Sequence, residues 1–397
     1  MQNTKASPHI KPENIDVTEI SAASHPQYMD HEKIYKIHAP EQNITAFVGI
    51  HNTALGPALG GIRFKYYEDE NTALTDVLRL SEAMTWKNAA GNLDHGGGKS
   101  VIMAPSADLR HPTDEILAIF AQGLNIINAG TPVYFGAEDM NTDETSMNKL
   151  LETTRWIKGG TAPSPDVVGG TPSPLTAIGV FECMKIAARH KLGKENLKDV
   201  HISMQGLGNV GGALAQYLHE QGAILTGCDV VDSVFEDLET KGVQVVRVGL
   251  NEIYDAPADI FAPNAIGGTL TDTNIKRLKT ADVQIVCGAA NNQQQDQSGG
   301  HQSRLMHDLD MLYCPDYIVN AGGVIWVAKV GQDAKTVTKE ISTGVPRRFE
   351  EILQIYESAT DQDMASLAAR YARRRVETAQ SQNSQNTGTE THNMIGA

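Results

Sequence analysis

The stretch DVHISMQGLGNVGGALAQYLHEQGAILTGCDVVDS, residues 199 to 233, leaves the chain few folds to choose from. His201 to Met204 read as a short strand, and Gly206, Gly208 and Gly211 fall in a G-x-G-x-x-G pattern. Ala213 to Leu218 begin a helix, and Ile224 to Thr226 form a second strand with Asp229 at its end. The three glycines do different physical work. The first turns the chain, the second lets a pyrophosphate approach the backbone, and the third lets helix pack closely on strand. The helix N-terminus adds amide donors and the positive end of its dipole. Asp229 stands where a carboxylate accepts from ribose hydroxyls, and DVVDS offers no cation for a 2′-phosphate, so the expected cofactor is NAD. A glycine turn in an ordinary α/β sheet accounts for the glycines but not for Asp229.

At 397 residues the chain exceeds what one core needs, about 150 residues per domain being usual. From GGTPSPLTAIGVFECMKIAARH onward it alternates helix, strand and glycine loop, the pattern of an open parallel sheet. The preceding part is mixed. Residues 44–53 and 60–67 read as strands, joined by the turn-rich ALGPALGG. A helix capped at Asn71 carries Leu74, Val77, Leu78, Ser81, Thr85 and Asn88 on one stripe and ends at Gly91. SVIMA is a short buried strand, followed by the helix TDEILAIFAQGLNII. The Gly- and Pro-rich span Gly159 to Pro174 reads as a domain boundary.

The expected fold is therefore α/β: an N-terminal α/β substrate and catalytic domain with a mixed sheet over 15–165, then a Rossmann NAD-binding domain over 166–335. The active site is expected in the cleft between them. C-terminal helices follow over 336–377, where Phe349, Ile352, Leu353 and Tyr356 form an apolar stripe attached to either domain. The polar, Gln/Asn/Ser/Thr-rich 378–397 reads as a disordered tail.

A net charge of −15 opposes phosphate backbones, which excludes nucleic acid as a partner. The dense basic cluster Arg370, Arg373, Arg374 and Arg375 reads as complementing the end of its own helix, rather than as an anion site. No apolar run is long enough to span a bilayer, and the polar N-terminus lacks a secretory core, so a cytoplasmic protein is expected. Cys183, Cys228, Cys287 and Cys314 show no metal-ligand spacing and read as reduced core residues, with no metal site expected.

GNLDHGGGKSVIMAP sets Gly96, Gly97 and Gly98 before Lys99. Either this is a loop preceding a solvated lysine, or the glycines let backbone and ligand come close while Lys99 is held beside a reacting atom. Lys87 ends the helix in MTWKNAAGN, and Asp139 follows a strand in FGAEDMNT. Two amines and a carboxylate suit hydride transfer from an amino acid. That reaction requires a cation for the α-carboxylate, a base that activates water against the resulting imine, and a group that shuttles the amine proton. A lysine acts as that base only where burial or a neighbouring cation lowers its pKa.

In the motifs LGPALGGIRF, MTWKNA, GGGKSVI, GAEDMNT, PSPLTAIGV, QGLGNVGG, GAANNQ and PDYIVNAGGVI, taken in order, the sequence resembles the glutamate, leucine, phenylalanine and valine dehydrogenase family from about Ile44 to about Val327. The leucine branch is nearest and the phenylalanine branch next. The resemblance implies reversible oxidative deamination, in which an L-amino acid, water and NAD give a 2-oxo acid, ammonium and NADH. Carried over, Lys87 binds the substrate carboxylate, Lys99 activates water and Asp139 exchanges protons with the amine. Thr176 and Asn291 match positions near the nicotinamide, and Asn209 follows the second fingerprint glycine. Leu59, Ala137, Val324 and Val327 match the pocket for the substrate side chain. All four are apolar, which argues against glutamate, whose carboxylate would be buried unpaired. Leucine, valine and isoleucine are the expected substrates, with phenylalanine as alternative and a non-catalytic NAD-binding sensor as the alternative of another class. The family also implies a homo-oligomer. His95, more polar than the family's residue there, reads either as tuning Lys99 or as a hydrogen-bonded loop histidine.

Overall fold

The computed structural model describes residues 14–296, 300–359 and 361–394, with side chains described to residue 385. The polar N-terminal segment considered for targeting lies mostly outside them. Among the described residues the chain forms two compact units: residues 14–170 with 327–331 and 373–394, and residues 171–326 with 332–372.

Unit 1 is a six-stranded mixed sheet. Its strands are β1 Asp16–Glu19, β2 Lys33–Ala39, β3 Ile44–Asn52, β4 Ala58–Lys65, β5 Gly96–Met103 and β6 Tyr134–Glu138, in the order β1-β2-β3-β5-β4-β6. The first three pairings are antiparallel, whereas β4 runs parallel to both β5 and β6. Alternation along each strand sorts the side chains to two faces. Ile37, Val48, Ile50, Ile62, Phe64 and Ile102 pack with Phe120 and Leu124 of α2 Asp114–Ile127 on one face. Phe47 and Val101 pack with Val77 of α1 Glu70–Ala90 on the other. α3 Glu144–Leu151 joins the α2 side through Met147 and Leu150.

Helix α1 buries Val77, Leu78, Ser81, Thr85 and Asn88 of the stripe read from the sequence, while Leu74 is only partly buried. Its cap is Asp69, not Asn71: the Asp69 carboxylate accepts from Thr72 N at 2.7 Å. Asp69 has the extended backbone of an N-cap, whereas Asn71 falls inside the helix.

Unit 2 opens with α4 Ser173–Leu192. Its sheet contains β7 His201–Gln205, β8 Ile224–Cys228, β9 Val246–Arg247, β10 Ile260–Pro263, β11 Ile285–Val286 and β12 Leu312–Tyr313. All pairs are parallel and the order is β12-β11-β10-β7-β8-β9, which is the doubly wound 3-2-1-4-5-6 arrangement. The intervening helices are α5 Asn209–Glu220, α6 Ser233–Thr240, α7 Asp272–Thr280 and α8 His301–Asp308, followed by α9 Asp316–Val319, α10 Gly322–Ala328 and α11 Ala334–Ser358. The four cysteines are all buried in this unit. α5 starts four residues before Ala213, because Asn209 and the glycines after it already take helical backbone. α11, with Phe349, Ile352 and Leu353 buried, belongs to this unit.

The last helix, α12 Met364–Met394, corrects two readings. Residues 378–394 are helical rather than disordered, and 395–397 lie outside the described residues. Ala, Gln and Glu are good helix formers, and propagation from an already docked turn costs little. The arginine cluster sits mid-helix and serves another helix's end: Arg375 Nη1 donates to Leu93 O at 2.6 Å and to Ala89 O at 3.5 Å, beyond the C-terminus of α1. The dipole it complements is that of α1. Arg373 lies over the Trp86 ring, 5.6 Å from its centroid.

Beneath α1 sit two neutral histidines. His31 Nε2 is 3.0 Å from both Leu78 O and Ser81 Oγ, His51 Nδ1 is 2.7 Å from Thr85 Oγ1, and the rings stand 4.9 Å apart. Burial lowers both pKa values, that of His51 to about 4. A pKa lowered by folding gives stability that is complete above the unfolded value near 6.5 and declines as pH falls toward 4. From pH 7 to pH 5 the unfolding free energy of wild type should fall by about 1–2 kcal/mol more than that of His51→Gln, measured by urea titration. Equal losses would contradict the assignment.

Candidate active site

Three strands in contact, β5, β4 and β6, present one face toward the α1 layer. Leu59 is level with Gly97 and Phe135, and Gly61 with Ala137, so Leu59, Gly61, Arg63, Gly97, Lys99 and Ala137 share that face. Asp139 follows directly after β6. Lys99 Nζ lies 2.9 Å from Asp139 Oδ2, and Arg63 Nε donates to the same oxygen at 3.0 Å. Arg63 Nη1 reaches Asp76 Oδ2 on α1 at 3.0 Å, and Tyr67 Oη donates to that oxygen at 2.9 Å.

The glycines before Lys99 are not a loop. Gly96, Gly97 and Gly98 are the first residues of β5, and none has positive φ. What they lack is room. A Cβ on Gly97 would stand 2.0 Å from Thr85 Oγ1 and 2.2 Å from Thr85 N of α1, and one on Gly98 would stand 2.7 Å from the Tyr134 ring. The run therefore lets α1 lie directly on the strand. Asn88 Nδ2 fastens the two by donating to Leu59 O and Gly96 O at 3.0 and 2.7 Å. Lys87, half-buried, precedes Asn88 on the last turn of α1. Gly61 makes space for the charged pair, since its Cβ would come within 2.6 Å of Asp139 Cβ and 2.8 Å of Lys99 Nζ.

Lys99 is only 4% exposed. Burial lowers its pKa; Asp139 opposes that shift and Arg63 adds to it. Burial pushes Asp139 upward, but Lys99 and then Arg63 outweigh it and hold the carboxyl at about 2. The arrangement is an ionised acid touching an amine whose charged form burial disfavours.

Leu59 and Ala137 are buried on the same face. Val324 lies half-buried on α10 in unit 2, and Val327 is buried in the segment 327–331 of unit 1. His95 has Nδ1 2.9 Å from Pro57 O and its ring edge-on to Phe135 at 5.9 Å, the setting of a hydrogen-bonded loop histidine.

In unit 2 the fingerprint glycines divide their work. Gly206 has φ +94°, and a Cβ there would meet Ala265 at 2.7 Å. A Cβ on Gly211 would strike Gly206 O at 2.1 Å. Around Gly208 nothing lies within 4 Å, so the protein itself does not need glycine there and the space suits a ligand. Gly208 caps α5, no side chain occupies that N-terminus, and Asn209 is its first residue. Asp229 Oδ2 accepts from Leu207 N at 2.7 Å and Oδ1 from Val231 N at 2.9 Å, so the acid shapes the glycine loop and keeps lone pairs for further donors. These residues fit a dinucleotide at the switch point where β7 and β10 adjoin. Thr176 on α4 stands beside Gly323, whose added Cβ would lie 2.4 Å from Thr176 Oγ1. Asn291 Oδ1 accepts from Asn320 Nδ2 at 2.9 Å.

Sequence reasoning missed Arg63, Asp76, Tyr67 and Asn320. Arg63 had a signal: in GGIRF it alternates with buried Ile62 and Phe64, which places a charge on the opposite face of a strand buried on both sides. Asn320 lies in PDYIVNAGG with nothing nearby to mark it.

A doubly wound sheet carrying a dinucleotide fingerprint, together with a lysine–carboxylate pair on a second sheet, defines a nicotinamide-dependent dehydrogenase. Family models described as Glu/Leu/Phe/Val dehydrogenase, dimerisation domain, and Glutamate/Leucine/Phenylalanine/Valine dehydrogenase match residues 31–156 and 229–384. The chain belongs to this family and is an amino acid dehydrogenase. Leucine dehydrogenase of Bacillus subtilis (strain 168) is 38% identical over 353 residues, covering 88% of this chain and 92% of its own. Phenylalanine dehydrogenase of Caldalkalibacillus thermarum (strain TA2.A1) is 35% identical, covering 88% and 92%. The crystal structure of L-tryptophan dehydrogenase from Nostoc punctiforme matches with TM-score 0.74 at 30% identity, covering 88% of this chain and 97% of that one.

The two kinds of glycine separate experimentally. Gly97→Ala should lose about 3 kcal/mol in chemical denaturation, because α1 must move off the strand. Gly208→Ala should keep its stability within about 0.5 kcal/mol while NADH affinity, read by fluorescence titration, falls several-fold. The reverse pattern would refute the division of labour.

Proposed function

We propose that the protein catalyses the NAD-linked, reversible oxidative deamination of a hydrophobic L-amino acid, with leucine, valine or isoleucine preferred. The observation that carries this reading is the buried Lys99 paired with Asp139 on a sheet face shared with apolar Leu59 and Ala137. Residues 15–165 are the substrate domain of this proposal and 166–335 its NAD domain.

Lys87 holds the substrate carboxylate by charge. Asp139, ionised at working pH, takes a proton from the substrate ammonium, leaving a neutral amine whose lone pair assists hydride departure from Cα. A bound nicotinamide would supply the acceptor for that hydride. Lys99, in the neutral form that burial favours, then takes a proton from water as its oxygen adds to the imine carbon. Asp139 returns its proton to nitrogen, and as the C–N bond breaks the carbinol hydroxyl gives its proton, through Asp139, to the departing ammonia, while Lys99 releases to solvent the proton it took from water. The sum is amino acid, NAD+ and water giving 2-oxo acid, ammonium, NADH and one proton.

Thr176 and Asn291 flank the nicotinamide in this reading, while Gly206, Gly208, Asn209 and Gly211 hold the pyrophosphate. Asp229 supports NAD over NADP, since a 2′-phosphate would face its charge. On the sheet face of unit 1, Leu59 and Ala137 offer the substrate side chain apolar walls, where a carboxylate would be buried unpaired; the resemblance to the family adds Val324 and Val327 as apolar candidates. The similarity to a phenylalanine dehydrogenase supports phenylalanine as the second reading. The match of 31–156 to a model named for dimerisation supports a homo-oligomer. Among the described residues no helix is long and apolar enough to cross a membrane.

The test is an alkaline assay of L-leucine, L-valine, L-isoleucine, L-phenylalanine, L-tryptophan and L-glutamate with both cofactors. The branched-chain substrates with NAD should give the highest kcat/KM, and Lys99→Ala should lose about 10³-fold in kcat with NADH binding retained. A preference for glutamate refutes the pocket, and turnover of no amino acid refutes the reading.

A further inference from the structure

The two oxygens of Asp139 have unequal surroundings. Oδ2 accepts from Lys99 Nζ at 2.9 Å and from Arg63 Nε at 3.0 Å, while Oδ1 carries no hydrogen bond to any described residue. The backbone is fixed as well, Asp139 N donating to Thr142 Oγ1 at 2.9 Å and Thr142 Oγ1 donating to Ile62 O at 2.8 Å. Arg63 is itself held from its far side by Asp76, which Tyr67 Oη and, at 3.3 Å, Arg79 Nη2 also engage. Lys99, Asp139, Arg63 and Asp76 thus form a row of alternating charge across β5, the end of β6, β4 and α1.

Resting on the reading of Asp139 as the proton-exchanging group, we infer that Arg63 is a positioning residue that pins Asp139 by Oδ2 throughout the catalytic cycle, reserving Oδ1 for the substrate amine, and that Asp76 is its anchor. The reason lies in the chemistry of the two cations. Lys99 must be neutral when it activates water, and at that moment its charge no longer holds the carboxylate. A guanidinium does not deprotonate in proteins, so Arg63 retains its grip when Lys99 has released its own. Its fork also spans two acids at once, Nε to Asp139 and Nη1 to Asp76, which a lysine amine at the same place does not. Without Arg63 only the weaker N–H donation of an uncharged lysine restrains the Asp139 carboxylate in each step in which Lys99 is neutral.

Removal of Arg63 should therefore slow proton exchange with the amine and leave substrate binding nearly intact. Arg63→Met is expected to lose about 100-fold in kcat, with KM for the amino acid changed less than about 3-fold. Arg63→Lys should recover less than a tenth of the loss, because charge alone does not supply the two-sided clamp. In Arg63→Met the solvent deuterium effect on kcat should rise and the effect of α-deuterated substrate should shrink, since proton transfer becomes slower than hydride transfer. Asp76→Asn gives a milder variant in case Arg63→Met folds poorly. It should lose about 5–10-fold in kcat, and Asp76→Asn/Arg63→Met should be no slower than Arg63→Met alone. Additive losses, full rescue by lysine, or a kcat for Arg63→Met within about 3-fold of wild type overturns the inference. Asp139→Asn separates the two claims: if it retains turnover, the assignment of Asp139 itself is wrong. If it is inactive while Arg63→Met is not, only the positioning role fails.

Discussion

A lysine amine and a carboxylate 2.9 Å apart, the lysine almost wholly buried, set the terms for the whole of unit 1. Taking such a pair out of solvent is unfavourable unless its remaining valences are met, and removing one partner of a buried pair is far more damaging than never having built it. The alternating row through Arg63 to Asp76 meets them, and it reaches α1. The helix that covers this face thus also supplies the last charge of the row, and its close seat on β5 depends on Gly97 having no side chain. Chemistry and packing meet at one contact between a helix and a strand.

Unit 2 solves the opposite problem. Its sheet core is apolar and parallel, and the demanding part is a loop that must remain open at a helix N-terminus. Gly206 and Gly211 are glycines because the protein leaves no room for anything else, whereas Gly208 is a glycine beside open space. Asp229 holds the loop through Leu207 N and still has acceptor capacity, so the residue expected to meet a ribose also maintains the shape of the phosphate turn. Removing that acid disturbs more than one contact.

Much of the fold was legible because the signals were local. The glycine fingerprint with its flanking strands and acid identified the parallel sheet, and the stripe from Val77 to Asn88 identified the face of α1. The errors arose where the deciding partner was remote in sequence. The glycines at 96 to 98 left two readings open, a loop or a close approach to a ligand, because the neighbours that crowd them, Thr85, Tyr134 and Asn52, are brought in by tertiary structure. Arg63 passed unassigned because its meaning depends on Asp139, 76 residues away. The arginine cluster read as serving its own helix because nothing in residues 370 to 375 points to Leu93. Composition alone made the stretch after Thr378 look disordered, although its residues are compatible with helix once the preceding turns are docked.

Helix α12 starts in one unit and ends in the other: Ala365 N donates to Ser303 Oγ in unit 2, while Arg375 Nη1 donates to Leu93 O in unit 1, across 282 residues of sequence. During synthesis the sheet of unit 1 emerges first, but the residue that closes the end of α1 emerges only after all of unit 2's sheet. Unit 1 therefore cannot finish folding in the order in which it is made. The carbonyls of Ala89 and Leu93, next to Lys87 on one side and the strand of Lys99 on the other, wait for their arginine until every strand of unit 2 has been made.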